Sequence, residues 1–308
     1  MSLPAHHQFN FTAMACRNEI MLAGSYDAAS AMAEAVINEV RRIEAKYSRY
    51  RDDSVLSRIN AAAGADPVQI DQETSKLLDY ADAVWRSSHG RFDISSGVLR
   101  RAWDFRQARL PAQAQIDALL PLIGWDKIER GADWIRLPQA GMQLDFGGFG
   151  KEYAVDCAAD LCEAAGWHSG FINLGGDLRV LGPQPDGSPW HIGIRHPRDA
   201  GAVLASIALA DGALASSGDY ERFVDVGGRR YCHILDARSG WPVQGWQSVS
   251  VLTPRCLVAG TVSTVAMLKG EAEGEPWLTQ LGARVLAVRG DGSTFSTFAT
   301  QAAESAMR

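Results

Sequence analysis

Residues Phe171 to Gly182 read FINLGGDLRVLG, two short apolar runs on either side of a glycine turn. Runs of this length, bounded by turn residues, read as strands. What surrounds them decides the fold class. Downstream, WHIGIRHP, VLASIAL, RRYCHILD and SVSVLTP read as further strands, LVAGTVSTVAMLKG as a buried helix and ARVLAVRGDG as a closing hairpin. Upstream, the spacing predicts a helix from about Lys151 to Ala165, closed by Gly166 as the residue after the cap. A second helix is expected from Asp71 to about Ser88. Met32, Val36, Val40, Ile43 and Tyr47 recur at helical spacing behind Asp27 as N-cap. Phe9 to Ala23 reads as one strand. Helices and strands intermix without a strict strand–helix–strand rhythm, so the fold class is α+β rather than a doubly wound parallel sheet. No repeat, low-complexity tract or linker divides the chain, and residues 1–308 are expected to form a single domain.

Composition excludes several classes. The chain is 46% hydrophobic and 21% charged, ordinary for a globular protein. A net charge of −6 argues against nucleic acid as a partner, whose phosphates demand a basic face. The five cysteines form no CxxC pair and leave an odd count, which suits reduced thiols in a cytoplasmic protein. AMAC (Ala13–Cys16) faintly resembles a lipoprotein cleavage site, but neither a basic leader nor a continuous apolar stretch precedes it. No run reaches the length of a membrane span.

Chemistry concentrates in a few segments. LDFGGFGKEYAVD (Leu144–Asp156) sets a carboxylate and a glycine turn before a helix that opens with Lys151. It is neither a P-loop nor GxGxxG. Backbone N–H groups at a helix N-terminus with a lysine beside them still favour an anion. Taken alone, the simpler reading is a tight bend with Lys151 in solvent. Ser216–Val243 places His233 three residues before Asp236 near a strand end, a proton acceptor with an orienter or an ordinary hairpin tip. Tyr50, in YSRYRDDSVLSRIN, could stack on a planar ring or sit at a core rim. GRFDISSGVLRRAWDF supplies Phe92, Asp93 and Trp103, whose aromatics read by default as core. The seven histidines show no zinc spacing.

Together these segments resemble the ApbE family, the FAD:protein FMN transferases. YRDDSVLSRIN, GRFDISSGVLRRAWDF, LDFGGFGKEYAVD, NLGGDLRVLG, SSGDYER and HILDARSGWPV follow one another in the family's order, from roughly Met14 to Gly270. The resemblance implies an ApbE-like, T-fold-related domain with mixed, mainly antiparallel sheets and packed helices. It implies that FAD is split, that FMN is joined through a phosphoester to a Ser or Thr of an acceptor protein, and that AMP leaves, with Mg²⁺ required. By motif position, Met14, Tyr50, Arg91, Phe92, Asp93, Asp145, Lys151 and Ile234 fall where the family contacts FAD. His233 is the candidate base and Lys151 the candidate electrophile. The carbonyl of Gly148 and the hydroxyl of Thr264 fall where the family holds Mg²⁺.

The chain also departs from the pattern. The metal block, usually A-D-A-x-x-T, is AGTVST here, so Gly260 stands in place of the aspartate, and Glu152 replaces the glycine usual after the lysine. Loss of an anionic oxygen weakens a hard-cation site. Three outcomes are open: the FAD phosphates hold Mg²⁺, Asp145 takes over, or flavin is bound and transferred slowly. Restoring the carboxylate by Gly260→Asp is expected to lower the Mg²⁺ concentration needed. Two other readings remain, an FAD diphosphatase giving FMN and AMP, and a non-catalytic FAD-binding protein.

Overall fold

FINL and LRVL lie in two neighbouring antiparallel strands, Gly170–Leu174 and Asp177–Gly182, within an eight-stranded sheet. The computed structural model describes residues 5–107, 109–298 and 301–302. Across the sheet the strands run His6–Ala13, Cys16–Ala23, Gly170–Leu174, Asp177–Gly182, Gly212–Gly218, Ser248–Thr253, Arg284–Val288 and Thr294–Ser296. Every neighbouring pair is antiparallel.

Antiparallel sheets commonly leave one face to water and read as alternating sequences. These strands read as continuous apolar runs because both faces are covered. Ile172, Leu174, Ala213, Ala215, Val249, Val251 and Val285 join the main core on the helical side. Phe171, Leu178, Val180, Leu214, Leu252 and Leu286 pack on the other face against Trp190, Ile194, Ile207 and Leu209. Those last four come from a separate hairpin, Trp190–Arg195 with Val203–Leu209. The main core draws on residues from Ala13 to Ala287.

The helices are α1 (Tyr26–Tyr47), α2 (Val55–Ala61), α3 (Gln72–Ser87), α4 (Gln113–Asp117), α5 (Gly150–Ala164) and α6 (Cys256–Gln280). The helix expected from Lys151 is α5, with Gly166 at φ 82° behind its cap. Asp156 within it caps α6, its two carboxylate oxygens accepting from the N–H groups of Cys256 and Leu257 at 3.0 and 2.9 Å. A charged acceptor satisfies donors that a helix start leaves open. Helix α6 breaks at Gly270, whose φ of 68° and ψ of −178° lie outside helical geometry.

Several expectations are corrected. Phe9 to Ala23 is not one strand but the greater part of a hairpin, with Ala13 opposite Cys16. Met14 and Ala15 turn the corner at φ 54° and 58°, and without the usual Asn or Gly the turn left no signal. Ser25, not Asp27, is the N-cap of α1, and Asp27 sits in the first turn. Helix α2 was not anticipated; Ser54 caps it by accepting from the Ser57 N–H at 2.9 Å. RRYCHILD is a strand only over Arg229–Cys232. The strand Gly212–Gly218, GALASSG, was missed because small residues carry little strand signal. It is nonetheless central, with α6 against it.

Candidate active site

The corner at Met14–Cys16, the loop before α5, the turn after Leu174, the end of the strand Gly212–Gly218, the segment from His233 to Leu235 and the middle of α6 enclose one cavity of about 630 Å³. That lies within the range of small-molecule and cofactor pockets, about 300–1,000 Å³. Met14, Tyr50, Arg91, Phe92, Asp93, Asp145, Gly148, Lys151, His233, Ile234 and Thr264 all line it. Residues hundreds of positions apart in sequence therefore share one wall.

Their side chains are not equally available. Lys151, in the first turn of α5, reaches Asp177 at 2.5 Å. Burial opposes its charge, but Asp177 and then Glu152 outweigh burial and hold its pKa well above the usual lysine value. The ammonium is thus fixed and permanent. Burial also opposes ionisation of Asp145, yet the guanidiniums of Arg100 and Arg49 hold its carboxyl below the usual range. Arg100 Nε lies at 2.7 Å, Arg49 pairs with the same oxygen, and the Gly147 N–H donates to the other at 2.8 Å. Asp145 is therefore engaged by two arginine cations. The loop reaches this position because Gly97 has no side chain; a Cβ there would lie 2.7 Å from that of Asp145.

Asp93 is likewise occupied. It accepts from Ser95 N and Oγ at 2.8 and 2.6 Å and from the Trp125 N–H at 3.0 Å, so its carboxylate braces the loop behind Phe92. Arg91 donates to the Leu268 carbonyl at 3.1 Å and to Glu273 at 2.5 Å, tying the loop to α6. Phe92 is buried and stacks with Phe149 at 6.3 Å. Tyr50 is the opposite case, 76% exposed at the cavity mouth with the Arg49 guanidinium over its ring. It offers an aromatic surface to a planar partner.

His233 is half-buried, with Nδ1 at 3.2 Å from the Arg222 carbonyl. A carbonyl only accepts, so Nδ1 carries the proton and Nε2 keeps its lone pair. Burial, then the charges of Arg222, Arg100 and Lys151, push its pKa down to about 4. The ring is neutral across the physiological range and can accept a proton. Thr264 shares a bond with Ser217 at 3.0 Å, and Ser217 with Ser263 at 2.8 Å. No cluster of three or more His, Cys, Asp or Glu side chains suited to a metal exists among the described residues. A cation here would lean on hydroxyls, carbonyls and its ligand's own oxygens.

Against known proteins, the ApbE family matches residues 13–288. The chain belongs to the ApbE family. A FAD:protein FMN transferase of Rhodobacter capsulatus is 34% identical over 79% of the chain, which spans 47% of that relative's length. One from Chlamydia pneumoniae is 31% identical over 77% of the chain and 76% of its own length. The ApbE protein of Thermotoga maritima superposes with a TM-score of 0.85 at 28% identity, covering 95% of this chain and 97% of that one. The apo flavinyl transferase ApbE of Pseudomonas stutzeri gives 0.85 and 28%, covering 99% and 96%. As a member of this family the chain is a transferase enzyme with the mixed, mainly antiparallel architecture of its relatives.

Some residues of this ApbE site escaped sequence reasoning. Arg49 and Arg100, which neutralise Asp145, were not singled out from the sequence. Asp177 lay in a quoted block, NLGGDLRVLG, but nothing in the spacing tied it to Lys151. Ser217 sits in the strand that was missed. Only the fold brings these partners together.

Proposed function

We propose that the chain is an FAD:protein FMN transferase. It splits FAD, attaches FMN through a phosphoester to a Ser or Thr of an acceptor protein and releases AMP, with Mg²⁺ as cofactor and residues 1–308 acting as one domain. One observation carries the reading: motif residues from separate blocks, Met14 to Thr264, line a single cavity with a half-buried lysine, paired with Asp177, at the start of a helix. Tyr50 and Phe92 suit the isoalloxazine, and Lys151 with the N-terminus of α5 suits the diphosphate. Among the described residues no helix is long and apolar enough to cross a membrane. The cysteines Cys16, Cys157, Cys162, Cys232 and Cys256 are free thiols, which supports placing the protein in the cytoplasm.

The donors in the cavity fit a hard divalent cation. Hydroxyls, carbonyls and carboxylates line the cavity beside Cys16 and His233, and a buried carboxylate oxygen of Glu152 stands among them without a hydrogen-bond partner. When bound, such a cation supplies Lewis-acid stabilisation of the diphosphate's charge. The chain's own residues do the rest. Lys151 holds the diphosphate and stabilises charge as it builds on the departing AMP oxygen. His233 Nε2 accepts the proton of the acceptor hydroxyl as that oxygen attacks the FMN phosphorus in line. Incubation with FAD, Mg²⁺ and an acceptor bearing a suitable Thr should yield covalent FMN by mass spectrometry, abolished by EDTA. Free FMN and AMP with an unmodified acceptor would instead establish a diphosphatase, and FAD binding without turnover a flavin-binding protein.

A further inference from the structure

The cavity contains a buried side chain that the reading above leaves without a task. Glu152 is 8% exposed, one residue into α5 from Lys151, and its Oε2 is fully buried with no hydrogen-bond partner among the described residues. Asp177 is also buried beside it, and Lys151 at 2.5 Å neutralises Asp177. Lys151 also attracts Glu152, yet it pairs with Asp177, and Glu152 Oε2 is left without a hydrogen bond. Leaving a carboxylate oxygen orphaned in a protein interior costs stability unless something binds it.

Room for Glu152 is made by the neighbouring helix. A Cβ on Gly260 of α6 would lie 2.5 Å from Glu152 Cγ, 2.7 Å from Oε1 and 2.8 Å from Cδ, closer than side chains tolerate. Gly260 thus cannot acquire a side chain while Glu152 keeps its place. The carboxylate group rests over the backbone at 260, one helical turn before Thr264 and on the same face of α6. Glu152, Thr264 and Gly148 line the same cavity, and a carboxylate, a hydroxyl and a carbonyl are the oxygen donors a hard cation takes. The glutamate side chain at 152, on α5, fills the space that glycine at 260, on α6, leaves open.

We propose that Glu152 supplies the carboxylate ligand of a divalent-cation site with Thr264, through the space that Gly260 leaves open. The proposal rests on the flavin-transferase reading, since the ligand's phosphates would complete the coordination. It also reverses the expectation for Gly260→Asp. That substitution adds a second carboxylate to occupied space, so it impairs the site rather than improving it.

The test is a reciprocal exchange. Mn²⁺ binding is measured by the loss of free-ion electron paramagnetic resonance signal, with and without ADP as an unreactive diphosphate. Five proteins are compared: the native chain, E152Q, E152G, G260D and the double variant E152G/G260D. E152Q, isosteric and folded by circular dichroism, should weaken Mn²⁺ binding by about tenfold or more. E152G and G260D should each weaken it, and the double variant should recover affinity to within about threefold of the native protein. Superimposable Mn²⁺ titrations of the native chain and E152Q would overturn the proposal. So would a double variant that binds no better than E152G. If the native chain still transfers FMN in a Mg²⁺-dependent way in that event, only the role of Glu152 falls. A native chain that binds neither Mn²⁺ with ADP nor FAD overturns both readings.

Discussion

Replacing Glu152 by glutamine should stabilise the metal-free protein, and increasingly so as pH rises. Burial, then the nearby charge of Asp177, raises the Glu152 carboxyl from an ordinary 4.5 to about 8, Lys151 pulling the other way. A carboxyl whose pKa is higher folded than unfolded holds its proton in the folded state while the unfolded chain releases it. Stability is then fully present below about pH 4.5 and falls as pH rises through about 8, after which it is level. Each pH unit across that window is worth about 1.4 kcal/mol, so the loss is on the order of 3 kcal/mol once the pairing with Asp177 and Lys151 is allowed for. Glutamine keeps the shape and has nothing to ionise. Urea denaturation in EDTA should give similar midpoints for the two proteins near pH 4.5. At pH 8.5 the variant should be the more stable by roughly 2–3 kcal/mol. A stability difference that does not change with pH would refute the argument, because the ionisation of Glu152 is its source.

Other consequences are separable. His233→Gln should lower kcat by about a hundredfold or more while leaving FAD affinity within about twofold, read by single-turnover mass spectrometry and flavin fluorescence quenching. Because His233 is depressed to about 4, the acid limb of kcat/KM attributable to it should lie near that pH, not near 6.5, and should vanish in the variant. Lys151→Met should remove the diphosphate's fixed cation and leave Asp177 buried and unpaired, so FAD binding should fall and the urea midpoint with it, by about 2 kcal/mol. Asp156→Ala should cost about 1–2 kcal/mol in urea denaturation by uncapping α6, yet retain transfer at low temperature, since Asp156 touches the helix and not the cavity.

Much of the site was legible before any fold was known, because the chemistry is carried by local patterns. A glycine turn followed by lysine, a histidine at a strand end and a tyrosine past a helix are each visible within a few residues. Their partners were not. Asp177 meets Lys151 from a strand beside α5, Arg49 and Arg100 converge on Asp145 from different segments, and Ser217 reaches Thr264 from a strand whose small residues hid it. The turn at Met14–Ala15 was likewise invisible, since its positive φ values are held by the hairpin on either side and not by residue type.

Sequence by itself determined the fold class, the helices with strong apolar spacing and the blocks that carry chemistry, because periodicity and turn composition act over a few residues. The tertiary structure alone decided which charges meet. A vacancy at Gly260 and an extra carboxylate at Glu152 read along the chain as two unrelated departures. In space they are neighbours, a Cβ at 260 falling 2.5 Å from Glu152 Cγ, because α5 and α6 pack side by side and leave room for only one of the two side chains.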